Sequence, residues 1–159
     1  MRNLITLMFA WLIASCAAPQ KLDLFNNRDC NIYGQSFCTR AIGDGVYISN
    51  GPDFLIYNFH FDERNVLAIY EGGHAQQFGP ENYSSKQVGK AIVRYREYDD
   101  GETFHRYYVN DTIERPKILH MMSPIDLTER QQSFVSRALS TLRYCRPSGA
   151  SMICDAGGK

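Results

Sequence analysis

Between residues 46 and 122, short runs of aromatic and β-branched residues alternate with turn clusters. That pattern limits the chain to paired strands. Val46–Ser49 is a short run, closed by Asn50-Gly51-Pro52-Asp53. In Phe54–Phe61 a period of two places Leu55, Tyr57, Phe59 and Phe61 on one face. Asp62-Glu63-Arg64-Asn65 reads as a polar turn; a four-residue loop brings Val66, Ala68 and Tyr70 onto the face of Phe59 and Phe61. Gly72 to Lys90 is polar, carries Gly72-Gly73-His74 and Gly79-Pro80, and reads as a long loop, the usual place for functional residues.

Ala91–Val109 carries the clearest hairpin signal. Asp100-Gly101 suits a two-residue turn whose central positions both take φ > 0. In that register Val93, Tyr95, Phe104 and Tyr108 share the buried face, with Glu97 and Arg106 diagonal to each other. The opposite face carries Arg94, Arg96, Tyr98, His105 and Tyr107. Lys117–Met122 is a further strand. Thr128 and Gln131 then fit a capping box, and Phe134, Val135, Ala138, Leu139 and Leu142 recur at helical spacing, which predicts a helix over 129–144. Strands followed by one helix predict an α+β fold: an antiparallel sheet of about five or six strands with a C-terminal amphipathic helix, in a single domain over 30–159.

The N-terminus reads as an address. Arg2 precedes an apolar run of 11 residues, Leu4 to Ala14. Spanning a bilayer takes about 20 such residues, so the run has the length of a signal-peptide core rather than a span. It ends in Ile13-Ala14-Ser15-Cys16, which resembles the lipobox of bacterial lipoproteins. That resemblance covers residues 1–16. It implies removal of residues 1–15, lipidation of Cys16 and a membrane anchor, with 16–29 as a tether. Ala17 in place of Asp implies sorting to the outer rather than the inner membrane, facing the periplasm. The other reading is a plain secretory signal cut after Ala18.

Four further cysteines, Cys30, Cys38, Cys145 and Cys154, form an even set in an exported chain, which points to disulfides. Their spacing favours two local loops, Cys30–Cys38 and Cys145–Cys154, with a clasp such as Cys30–Cys145 as the rival. Residues 30–43 then read as an irregular, disulfide-closed loop.

Lys plus Arg and Asp plus Glu both number 17, and a chain without basic excess is not built to displace counterions from nucleic acid. No cofactor is expected, because Gly43-Asp44-Gly45 and Gly72-Gly73 lack phosphate-loop spacing. His60 and Asp62, two apart, could join His74 or His120 around a metal, but the pattern is weak, and no metal site is assigned. Asp62, Glu63, Glu71 and Glu81 are the available carboxylates for glycoside cleavage, yet each lies in or beside a turn, where solvated acids are the rule. No catalytic residue is assigned, and G-x-S-x-G is absent.

What remains is a binding surface. The candidate docking residues are Arg94, Arg96, Tyr98, His105 and Tyr107, with Gly72, Gly73 and His74 on the adjoining loop. Lipobox, small disulfide-stapled domain and no catalytic motif together resemble, in plan only, periplasmic immunity lipoproteins. That likeness implies a periplasmic or secreted protein partner, such as a toxin. The alternatives are an envelope hydrolase using His60, Asp62 and His74, and a structural envelope lipoprotein.

Overall fold

A computed structural model describes residues 30–73, 80–88, 91–110, 117–148 and 151–154. The signal segment, Cys16, the tether and His74 lie outside these residues. Among the described residues the fold is mostly β, with two antiparallel sheets, one α-helix and two disulfides. The expected five or six strands become eleven. Seven strands build the large sheet: β3 (Gly45–Asn50), β4 (Phe54–Phe61), β5 (Arg64–Gly72), β6 (Ser84–Val88), β7 (Ala91–Asp99), β8 (Thr103–Asn110) and β9 (Lys117–Pro124). Their order is β3-β4-β5-β9-β8-β7-β6, two antiparallel meanders joined where β5 pairs with β9. The small sheet, β1-β2-β10-β11, uses β1 (Ile32–Tyr33), β2 (Phe37–Thr39), β10 (Arg143–Ser148) and β11 (Ser151–Cys154).

The small sheet corrects two expectations. Residues 30–43 hold paired strands, not an irregular loop, because β2 pairs with β1 on one side and with β10 on the other. The helix α1 spans Glu129–Ser140 and stops short of residue 144, since Arg143 and Tyr144 pair with Cys38 and Phe37. Its capping box forms as read: Gln131 N–H donates to Thr128 Oγ1 at 3.4 Å, and Thr128 N–H to Gln131 Oε1 at 3.1 Å. Both local disulfides are present, Cys30–Cys38 and Cys145–Cys154. Sulfurs of Cys38, Cys145 and Cys154 lie within 4.8 Å of one another, so the two bonds sit side by side.

Two turns shift the register. Asp62 and Glu63 alone make the β4–β5 turn, with φ of 51° and 58°, as a two-residue turn between twisted strands requires. A bulge at Phe59/His60 follows. Phe59 therefore pairs with Leu67 and Tyr57 with Ile69, so Leu67 and Ile69 line the core, while Ala68 and Tyr70 face away from it. The Asp100-Gly101 turn is instead longer: four residues separate the paired Asp99 and Phe104. Asp100 Oδ1 accepts Glu102 N–H at 3.0 Å and Thr103 N–H at 2.8 Å, and only Gly101 takes φ > 0 (94°). This slip of two keeps every side chain on its expected face. It places Glu97 directly opposite Arg106 instead of diagonal to it.

The main core lies between one face of the large sheet and a layer made by α1 and the small sheet. Phe59, Leu67, Ile69, Leu119 and Met121 meet Phe134, Val135, Ala138 and Leu142 there. Phe61 stacks on Phe134 at 5.0 Å, and Phe37 meets Tyr57 edge-on at 5.0 Å. Among the described residues, no α-helix packs on the opposite face.

Candidate functional site

That opposite face is where the expected docking residues gather. The pairing of β7, β8 and β9 sets Arg96 beside Tyr107 and Tyr98 beside His105, and puts His120 across from Tyr107. Four rings form one array. Tyr98 lies 4.7 Å from His105 and 6.2 Å from Tyr107; His120 lies 4.0 Å from Tyr107 and 5.1 Å from His105, all near parallel. Arg96 sits over the Tyr98 ring at 5.5 Å and Arg94 over Tyr83 at 5.2 Å. Tyr107, Val109 and Ile118 form a small second core under Tyr70, Tyr83 and Tyr98.

Tyr107 is therefore not an exposed contact residue. Only 1% of it is accessible, and burial, then hydrogen bonding to Tyr98, pushes its phenol pKa well above the usual value. It is the floor of the face, and Arg94, Arg96, Tyr98 and His105 are the half-buried groups above it. Gly72 is buried within β5 rather than in a loop. A side chain there would collide with Tyr70, whose ring stacks on Phe54 at 5.6 Å. Gly73 is exposed just past that strand.

Sequence reasoning missed Asp100 and His120 as parts of this site. Asp100 Oδ2 lies 2.9 Å from His105 Nε2, and His105 Nδ1 lies 2.9 Å from His120 Nε2. The two imidazole centroids are farther apart than these nitrogens by roughly the two ring radii, so the nitrogens point at each other. Opposed lone pairs share a proton; chelation would need them to converge on a third point. Asp100 faces Nε2 of His105, and His105 Nδ1 and His120 Nε2 share one proton between them. The chain Asp100–His105–His120 ties the turn to the ring array.

The same contacts shift two titrations. Asp100 is held down at about 2 by its hydrogen bond to His105, aided by the Thr103 and Glu102 amides. His120 is lowered to about 4, first by burial and then by the neighbouring His105. A depressed histidine pKa means that the folded state prefers the neutral ring. Its stabilising contribution is complete above the unfolded value near 6.5 and is lost as pH falls through about 4. We expect NMR titration to give His120 a midpoint near 4 and stability to fall with pH across that window. A midpoint at 6 or above would show that the ring is not desolvated.

Of the residues expected for a hydrolase, His60 packs edge-on against Tyr47 at 4.8 Å and Asp62 lies 3.5 Å from Arg130, while His74 lies outside the described residues. Glu71, expected among solvated acids, is 3% exposed and structural: it accepts Gln35 N–H at 2.8 Å, Tyr57 O–H at 3.3 Å and the Ser36 hydroxyl. Among the described residues the one group of three clustered ligand types is Cys38, Cys145 and Cys154, whose sulfurs are held in the disulfides.

No known protein family, curated protein or solved structure matches this chain.

Proposed function

We propose that the chain is a bacterial envelope lipoprotein that binds an exported protein through the outer face of β7, β8 and β9. The single observation that carries this reading is the ring array of Tyr98, His105, Tyr107 and His120, with Arg96 laid over Tyr98 and Arg94 over the neighbouring Tyr83. Aromatic and arginine side chains pre-ordered in this way lose little conformational freedom on docking, and such residues dominate interface energetics. The two arginines select a partner with an acidic surface around its contact site. An inhibitor plugging the cleft of a secreted toxin fits this chemistry. The lipobox and two disulfides support an extracytoplasmic place of work.

The test uses the full-length, lipid-bearing chain as bait in envelope extract. A partner held by the unaltered chain and by Arg146→Glu, an exposed residue on the small sheet, is expected to be lost from the Arg94→Glu/Arg96→Glu chain. Equal capture by all three would remove the assigned face. Cys16→Ser is expected to move the chain from the membrane to the soluble fraction.

A further inference from the structure

The core-side surface of the same hairpin holds a second feature, on which the docking face does not depend. Where β6 and β8 meet the end of α1, a cavity of about 260 Å³ is lined by Lys86, Arg106, Arg143, Tyr108, Leu139 and Leu142, among others. Three cations enter it and, among the described residues, no carboxylate lines it. Lys86 Nζ lies 3.5 Å from the Tyr108 hydroxyl and 4.0 Å above the Tyr95 ring. Arg106 stacks over Phe104 at 4.1 Å and donates to Ser123 Oγ at 3.4 Å; its nearest carboxylate, Glu97, is 4.0 Å from Nε. Arg143 spends one terminal nitrogen on the Leu142 and Ser140 carbonyls, at 2.7 and 3.2 Å, while its Nε is buried without a partner.

Half-buried guanidinium groups with so little compensating charge are costly unless an anion completes them. The larger cavity, about 320 Å³ between Arg40 and α1, differs: its Arg40, Arg130 and Arg137 meet Glu129 in the lining and Asp62 beside Arg130, which leaves about one positive charge. The smaller one keeps the greater excess.

We propose that this cavity binds a phosphate group carried on an apolar body, with Lys86, Arg106 and Arg143 as its charge partners. Three cations less the nearby Glu97 leave about two positive charges, matching the roughly −1.5 to −2 of a phosphate monoester at neutral pH. Arginine forks suit phosphate oxygens, and the Tyr108 hydroxyl supplies a neutral donor. Its pKa is raised to about 12, mainly by burial, so it stays protonated. Leu139 and Leu142 give the ester's apolar part a wall. The source is either a soluble phosphate monoester or the phosphate headgroup of an envelope lipid.

The experiment uses the Cys16→Ser chain, exported with disulfides formed but without its own lipid. Inorganic phosphate is titrated by calorimetry; co-sedimentation uses phosphatidylcholine vesicles with and without phosphatidic acid. Saturable phosphate binding is expected, weakened about tenfold by Lys86→Gln and by Arg143→Gln and reduced by added salt. Lys86 is exposed, so its variant is expected to keep the parent's unfolding midpoint. Sedimentation with phosphatidic acid, displaced by inorganic phosphate, assigns the lipid source; phosphate binding without sedimentation assigns the soluble one. No binding of either probe, or equal binding by the folded variants, overturns the proposal.

Discussion

Replacing Glu71 with alanine is expected to cost about 3 kcal/mol of folding stability, because three donors lose their acceptor together. The Gln35 amide, the Ser36 hydroxyl and the Tyr57 hydroxyl all converge on this one carboxylate. It pins the turn between β1 and β2 to the large sheet, so the loss falls on the contact between the two sheets. Relief of the carboxylate's own desolvation offsets part of the cost, which keeps the figure below the sum of three unmade bonds. Glu71→Gln is expected to be intermediate, since the amide accepts through one oxygen and turns a donor toward another donor. Urea denaturation with the disulfides intact measures the loss; hydrogen exchange at Gln35 locates it. In a cycle with Ser36→Ala, the two substitutions should couple. A loss under 1 kcal/mol for Glu71→Ala, with Gln35 still protected, would mean that the turn is held by other contacts.

Removing both disulfides is expected to be the more damaging change. Each closes a loop with a sequence separation of 8 or 9, worth about 2.5 kcal/mol by chain entropy, which sets an upper bound of about 5 kcal/mol for the pair. That is the whole stability of many domains this size. The four strands of the small sheet are short, β1 only two residues, and cannot persist on pairing alone. The chain with all four cysteines replaced by serine is expected to show no cooperative unfolding transition at 37 °C, and the single-pair variants to unfold at lower urea. Because the bonds are adjacent, the two losses should not simply add. Loss of less than 1 kcal/mol from the fourfold variant would show that packing of Phe37 and Tyr144 holds the small sheet by itself.

How much was legible depends on the range of the interaction involved. Thr128 and Gln131 are three residues apart, and their reciprocal cap formed as read. Cys30–Cys38 and Cys145–Cys154 were favoured by spacing for the same reason: short loops close at small entropic cost. The faces of the β7–β8 hairpin also survived, since a slip of two residues returns each side chain to its own side. The β4–β5 turn was harder. Asp62 and Glu63 closing it alone slips the pairing by two and keeps each side chain on its side; the bulge at Phe59/His60 adds the one-residue shift that moved Leu67 and Ile69 into the core in place of Ala68 and Tyr70. Glu71 read as a solvated acid because its partners lie 14 to 36 residues away along the chain.

The candidate site divides along the same line. Arg94, Arg96, Tyr98, His105 and Tyr107 share a face because strand side chains alternate, and alternation is written in the residues themselves. That His120 stands beside His105 and Tyr107, that Tyr107 is the floor rather than the surface, and that Lys86, Arg106 and Arg143 enter one cavity all require strand order and the docking of α1. Local periodicity, capping and loop closure act over a few bonds and can be read from neighbours. Which strand lies beside which is settled by burial of whole faces, a sum over distant residues that no short stretch of this chain contains.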